Sequence, residues 1–218
     1  MADVEAEKRV AAEAAAELVA DGERVGLGTG STVAHLLPAL AARGLELRCV
    51  ATSPRTADAA RELGIEVEEF DALDRLDIAI DGSDQVAPDH WLVKGGGAAH
   101  TREKIVAATA GRFVVIADSS KTVERLEAPI PLELVSFGLS STLRRLREEV
   151  GEVKVREDTA PSPDGGVIAD YRGQVGDPAG LAARLESVPG VVDHGLFPAA
   201  MVSDVLVGRG DDVERWGS

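Results

Sequence analysis

The sequence predicts an α/β fold, a mostly parallel sheet flanked by helices, joined to a smaller α+β domain. Three observations predict it. Over the first 130 residues, helix-period and strand-period stretches alternate with short connections, the pattern of βαβ units. The texture then changes near Pro129-Ile130-Pro131, after which two helices are set among four strands. Hydrophobic residues make up 44% and charged residues 28% of the 218 positions, which supports a substantial core and excludes a disordered chain.

VEAEKRVAAEAAAELVA carries an apolar stripe at helical spacing and is expected to run to Asp21-Gly22. RVGLG is a short strand entering glycines, and STVAHLLPALAARG is the next helix, stopped at Gly44 and open to a kink at Pro38. LELRCVAT is a strand. Ser53-Pro54 has the cap and first-turn chemistry of a helix that closes at Gly64. IEVEEF and LDIAI are expected strands, TREKIVAATA a helix and RFVVIAD a buried strand. In the second part LELVSF, STLRRLREEVG, EVKVRED, GVIADYRG, DPAGLAARLESVPG and VVDHGLF read strand, helix, strand, strand, helix, strand. That order is split-βαβ, or ferredoxin-like. The tail VSDVLVGRG returns to the first sheet as an edge strand, which makes the small domain an insertion. The expected division is residues 1–130, completed by 203–218, for the larger domain and 131–202 for the smaller.

The formal charge is −15, which opposes non-specific binding to nucleic acid, since that requires clustered cations on phosphates. Five lysines stand against 18 arginines, with 3% aromatic residues. Such a balance suits a protein working in concentrated salt, where screening removes self-repulsion; an acidic protein of a GC-rich genome is the alternative. The single cysteine, Cys49, forms no internal disulfide and builds no cysteine zinc site. The N-terminal stretch lacks a long apolar run, and nowhere do 18 apolar residues follow one another. The expectation is a cytoplasmic protein without membrane partners.

Chemistry gathers where predicted strands end, the place open α/β sheets put their ligands. Gly26-Leu27-Gly28-Thr29-Gly30-Ser31-Thr32 combines glycines with two hydroxyls at the start of a helix whose free N–H groups favour an anion. No Gly-Lys-[Ser/Thr] follows, and Ser31 stands at the final glycine of the dinucleotide fingerprint, so a small phosphate monoester fits best. A tight turn without a ligand is the alternative. Asp81-Gly82-Ser83-Asp84 ends an apolar strand with two carboxylates suited to polyol hydroxyls or proton transfer, or to a plain solvated turn. Lys94-Gly95-Gly96-Gly97 leads into Thr101-Arg102-Glu103-Lys104, supplying a cation, a row of backbone N–H groups and a carboxylate at a helix start. Such parts could polarise a carbonyl, stabilise an enediolate and move a proton; a flexible linker is the alternative. Ala117-Asp118-Ser119-Ser120-Lys121 brings another acid and lysine to the same rim.

Together, GLGTGST (26–32), DGSD (81–84), KGGGAAHTREKI (94–105), ADSSK (117–121), PIPLELV (129–135) and PGVVDHGLF (189–197) resemble the type A ribose-5-phosphate isomerase family, nearly end to end and in order. The lysine–triglycine–TREK block is the most specific part. The resemblance implies a Rossmann-like domain carrying a ferredoxin-like one. It also implies a homodimer or homotetramer, no metal or organic cofactor, and interconversion of D-ribose 5-phosphate and D-ribulose 5-phosphate in the non-oxidative pentose phosphate pathway. By position, Glu103 is the expected general base. Lys94, Asp81 and Asp84 are the polar set around O1, O2 and the ring oxygen, and Gly95, Gly96 and Gly97 are the oxyanion turn. Thr29, Gly30, Ser31 and Thr32 are the phosphate cradle, with Gly82, Ser83 and Lys121 also at the substrate, and Lys8 reaching toward the phosphate.

The chain departs from the family pattern in places. DGSDQ stands for the usual DGADE, so Gln85 removes a charge; His100 occupies a commonly apolar position; Pro198-Ala199-Ala200-Met201 lacks a small polar turn. The other histidines show no metal-ligand spacing. A non-catalytic sugar-phosphate sensor is the alternative function, but such a regulator carries a helix-turn-helix module for which this chain has no room. Amino-sugar-phosphate deaminases and CoA transferases lack the KGGG–TREK block, and a nucleotide-dependent oxidoreductase is disfavoured by the failed fingerprint.

Overall fold

The computed structural model describes residues 3–157 and 159–217. In chain order its first elements are α1 (Val4–Ala16), β1 (Arg24–Leu27), α2 (Ser31–Ala42), β2 (Arg48–Ala51), α3 (Pro54–Glu62) and β3 (Ile78–Gly82). Then come β4 (Gln85–Val86), β5 (Leu92–Val93), α4 (His100–Thr109), β6 (Phe113–Asp118), β7 (Ile130–Leu134) and α5 (Leu139–Glu149). The last are β8 (Val153–Val155), β9 (Val167–Tyr171), α6 (Pro178–Glu186), β10 (Val191–His194), β11 (Leu196–Phe197), β12 (Asp204–Arg209) and β13 (Asp212–Gly217).

The chain forms two compact units. One comprises residues 1–83, 102–122 and 200–218, the other 84–101 and 123–199. The larger unit is built on a six-stranded sheet in the order β13-β12-β6-β3-β1-β2. All its pairs are parallel except β12 with β13. Every residue of β6 is buried, as expected of a central parallel strand. Val25, Leu27, Ile78, Ile80, Val114 and Ile116 from the strands join Ala11, Ala12, Ala15 and Ala16 of α1 and Leu36, Leu37 and Leu40 of α2 in one core. Small alanines on α1 let that helix lie close. The caps are those the sequence indicates: Ser53 accepts the Thr56 N–H ahead of α3, and Gly44 and Gly64 take positive φ after α2 and α3. Cys49 is fully buried, and burial pushes its thiol up to about 12.

The smaller unit has two sheets. One is the antiparallel four-stranded β10-β7-β9-β8, with α5 between β7 and β8 and α6 between β9 and β10. This is the ferredoxin-like order read from the sequence. The other is the three-stranded β11-β5-β4, and the pairing of β5 with β11 goes with the place of 84–101 in this unit. Ile130, Leu132, Leu134, Leu146, Ala169, Leu181, Leu185 and Leu196 make its core.

Several elements differ from expectation. α1 stops at Ala16, short of Asp21, because two turns follow in Leu18→Ala15 and Val19→Ala16 bonds. IEVEEF is not a strand: only Val67 forms a bridge, to Cys49. The single strand expected at VVDHGLF divides at Gly195 into β10 and β11, which serve different sheets. β12 is not the edge, since β13 covers it. α2 continues through Pro38.

At the opposite ends of the strands from the candidate site, Arg24 binds Asp77. Its N–H and Nε reach Oδ2 at 2.9 and 3.0 Å, and Nη2 reaches Oδ1 at 2.9 Å. The guanidinium bonds hold the Asp77 carboxyl down from its usual 3.8 to about 2. A carboxyl depressed on folding stabilises the folded state above its unfolded pKa and loses that contribution as pH falls through the folded one. The difference in thermal midpoint between the parent and Asp77→Asn is therefore expected to be full at neutral pH and to shrink between about pH 4 and pH 2. Differential scanning calorimetry at several acidities checks this, and a gap that stays constant contradicts it.

Candidate active site

In the larger unit, the chemistry-bearing loops leave adjacent parallel strands at their carboxyl ends. The loop after β1 turns at Gly28-Thr29-Gly30 into α2. A Cβ on Gly28 would stand 2.0 Å from the Asp81 carboxyl carbon and Oδ1, so only glycine lets β1 and the Asp81 side chain of β3 come together. Asp81 is 3% exposed. Its Oδ1 accepts the Thr29 N–H at 3.0 Å and the Gly82 N–H at 2.7 Å. The carboxylate thus sets the shape of the glycine loop as well as closing β3.

The Thr29 hydroxyl does not face outward. It lies 2.8 Å from the hydroxyl of Thr52, 2.9 Å from that of Ser53 and 3.3 Å from that of Thr56. Thr52, Ser53 and Thr56 are all buried, so this hydroxyl cluster braces the loop against the first turn of α3. Of the expected cradle, Gly30 and Ser31 are exposed at the start of α2, while Thr32 is buried.

Lys121 ends a single 3₁₀ turn, Ser119–Lys121, that follows β6. Two buried acids hold this turn. Asp118 accepts the Ser120 N–H at 3.0 Å and its hydroxyl through Oδ1, and its Oδ2 is buried without a hydrogen-bond partner among the described residues. Glu7 of α1, 2% exposed, accepts the Ser119 hydroxyl at 2.6 Å, the Ser119 N–H at 2.9 Å and the Gly210 N–H at 3.0 Å. The Ser119 hydroxyl above all, and then the Gly210 N–H, hold the Glu7 carboxyl below its ordinary value. Lys8, next on α1, bonds Glu5 at 2.6 Å. Glu103 lies in the first turn of α4 and is 4% exposed, a position where the free N–H groups of a helix favour a carboxylate.

In the smaller unit, Asp84 precedes β4 and Lys94 follows β5. Asp84 Oδ2 accepts the Gly96 N–H at 2.7 Å. Lys94 is 2% exposed; its N–H donates to the Gly195 carbonyl at 2.8 Å, and its Nζ stands 5.5 Å from the centre of the Phe197 ring. Gly95 has φ +101°, and a Cβ there would meet the His100 ring at 2.6 Å and Pro131 at 2.9 Å. His100 is fully buried. Gly96 and Gly97 are exposed at the top of the turn.

Three features of this unit were not signalled by the sequence. Arg156 reaches the carbonyls of Gly95 and Gly96 at 3.1 and 3.3 Å while paired with Asp170. Glu133 of β7, 2% exposed, accepts the Thr101 hydroxyl at 2.5 Å, and the Ser162 hydroxyl as well. Gln85 exchanges two 2.8 Å bonds with the backbone of Glu127, a task that an acidic side chain, lacking the amide donor, performs only by half. An arginine just after a short strand and a glutamate inside an apolar one carry no motif.

The expected residues therefore fall into two groups. Thr29–Thr32, Asp81–Ser83, Glu103 and Lys121 belong to the larger unit, and Asp84 and Lys94–Gly97 to the smaller. Asp81 joins Thr29 and Gly82; Asp84 joins Gly96. The described residues include no cluster of three or more His, Cys, Asp or Glu able to hold a metal, and no helix long and apolar enough to cross a membrane.

A model of the family described as Ribose 5-phosphate isomerase A (phosphoriboisomerase A) matches residues 48–212. A ribose-5-phosphate isomerase A of Caulobacter vibrioides is 46% identical over 220 residues, covering 96% of each chain. One of Halobacterium salinarum is also 46% identical, over 216 residues, covering 95% of this chain and 94% of its own. A D-ribose-5-phosphate isomerase solved in complex with phospho-erythronic acid superposes with a TM-score of 0.93 at 31% identity, covering 99% of this chain and 100% of that one.

Proposed function

The chain belongs to the ribose 5-phosphate isomerase A family, and from that premise we infer that it interconverts D-ribose 5-phosphate and D-ribulose 5-phosphate. The observation that carries the reading is a glutamate buried in the first turn of α4, two residues after a threonine anchored by Glu133.

On this reading Glu103 removes the proton from C2 of the open-chain aldose. The electron pair moves into a C1–C2 double bond while the carbonyl oxygen O1 takes up negative charge. Returning the proton to C1 and moving one from O2 gives the ketose; no hydride acceptor is needed. Lys94 and the turn of Gly95–Gly97 stabilise the enediolate oxygens, with the Gly97 N–H as a donor and the Gly96 N–H holding Asp84. Asp81 and Asp84 hold hydroxyls and assist ring opening. Gly30, Ser31, Thr32 and Lys121 take the phosphate, with Thr29 shaping the loop and Gly82 and Ser83 lining it. Lys8 reaches the phosphate by exchanging Glu5 for it. The protein acts in the cytoplasm as a homodimer or homotetramer, independent of metal and organic cofactors, and tolerates high salt through its acidic surface. The sensor reading gains no comparable support.

The test is conversion of ribose 5-phosphate by the purified protein with EDTA present, at low and at multimolar salt. Turnover is expected to survive the chelator. Folded protein that binds the sugar phosphate, seen as a raised thermal midpoint, yet shows no turnover in either buffer would favour the sensor instead.

A further inference from the structure

We propose that Arg156 is a positioning residue for the reaction: backed by Asp170, it clamps two successive carbonyls of the triglycine turn, and so keeps the Gly96 N–H on Asp84 and the Gly97 N–H directed at the developing oxyanion. The inference rests on the reading of Gly95–Gly97 given above.

The argument begins with the peptide group. In a trans peptide the C=O and the following N–H point in opposite directions. Fixing the carbonyl of Gly95 therefore fixes the N–H of Gly96, and fixing that of Gly96 fixes the N–H of Gly97. Nη1 of Arg156 holds both carbonyls, at 3.1 and 3.3 Å. The consequence shows on the other side of the turn, where the Gly96 N–H meets Asp84 Oδ2 at 2.7 Å.

Three glycines in a row have the greatest conformational freedom a chain allows; the Ala98 N–H closes the turn on the Gly95 carbonyl at 3.0 Å, and Arg156 adds a constraint from outside it that reaches the Gly96 carbonyl as well. The guanidinium suits this task because its donors form a rigid planar fork. Nε and Nη2 occupy Asp170 with bonds of 3.0, 3.0 and 2.8 Å, leaving Nη1 directed at the turn. Asp170 is buried on β9 in the middle of a sheet, and the Arg156 side chain is 16% exposed. The Arg156 N–H bonds the Ile168 carbonyl at 2.9 Å, extending the ladder beyond β8. Both ends of the clamp are thus fixed by the sheet. Because Asp170 neutralises the guanidinium, its contribution lies in orientation more than in charge. A lysine has the charge but not the fork, so it cannot serve Asp170 and both carbonyls at once.

The test compares the parent with Arg156→Lys and with the double variant Arg156→Met/Asp170→Asn, which avoids leaving a buried charge unpaired. For each, kcat and KM for ribose 5-phosphate are measured, with inhibition by phospho-erythronate, whose carboxylate imitates the planar enediolate. Both variants are expected to lose on the order of 10²-fold in kcat, the scale of a small misplacement of catalytic groups, with KM within about threefold. Phospho-erythronate affinity should fall alongside kcat. A purely structural ion pair would lower the thermal midpoint while leaving kcat and inhibitor affinity per folded molecule unchanged, and that result overturns the proposal.

Amide hydrogen exchange and 15N shifts of Gly96 and Gly97 in the folded protein give a readout independent of activity. They are expected to change in both variants. If the parent itself fails to isomerise ribose 5-phosphate, the functional reading falls, and unchanged exchange at these two glycines would then defeat the clamp as well. Should the double variant not fold, Arg156→Lys alone carries the same measurements.

Discussion

Glu103→Gln is expected to reduce kcat by a factor on the order of 10²–10⁴, the usual contribution of a positioned general base. The substitution keeps the shape of a side chain that is 4% exposed, so packing survives while the group that accepts the C2 proton is removed. KM should stay near the parent value, since the proposed phosphate groups, Ser31, Thr32 and Lys121, are untouched. Wash-out of deuterium from ribose 5-phosphate labelled at C2 isolates the step: the parent should exchange the label and the variant should retain it. A variant that still exchanges the label at the parent's rate would mean that another group is the base.

The second large effect is expected from adding a single methyl group. Gly28→Ala places a Cβ 2.0 Å from the Asp81 carboxylate, far inside contact distance. Asp81 sits on β3, whose neighbours β1 and β6 both pair with it, so the backbone has little room to yield. The carboxylate must rotate, giving up the N–H groups of Thr29 and Gly82. Overpacking of this kind costs about 1–3 kcal/mol of stability. It also dislocates the glycine loop and one proposed catalytic acid together, so kcat/KM should fall by on the order of 10²-fold or more. Circular dichroism and thermal melts separate the two effects. A folded Gly28→Ala protein with parent kcat/KM would show that the close approach has no part in catalysis.

The site was legible where chemistry demands a sequence pattern. Glycines at 28 and 95–97, acids after an apolar strand and the helix opening on Thr101-Arg102-Glu103 all follow from strand-end geometry and could be read without coordinates. The supports were not. Arg156 follows β8 and Asp170 lies on β9, two strands the sequence already reads as neighbours, but nothing local tells that the arginine reaches the carbonyls of Gly95 and Gly96, 61 and 60 residues away. Glu133 sits in the apolar run of β7 and reads as an outward residue, yet it is buried with two hydroxyl donors. The Thr29 hydroxyl was expected at the phosphate, and only the tertiary placement of Thr52, Ser53 and Thr56 shows it turned inward. The fold was legible for the same reason as the motifs, since periodicity and caps are local. The division of VVDHGLF at Gly195 was not local: which sheet each half joins depends on β5 and β7, far away in sequence.

The order of strands in the larger sheet bears on how the chain folds as it is synthesised. β6 ends at Asp118, but its neighbour β12 begins only at Asp204. Until the later strand emerges, a strand apolar from Phe113 to Ala117 has one side bonded to β3 and the other open. Unpaired edges of this kind recruit other chains. The intervening residues 123–199 can meanwhile build their own four-stranded sheet, because all of its strands are already made. β13 then closes the ladder with an antiparallel edge rich in Asp, Glu and Arg, the kind of charged border that discourages further addition. Ribosome-bound fragments ending between residues 122 and 203 should accordingly depend on holdase chaperones to stay dispersed, and those reaching past residue 217 should not.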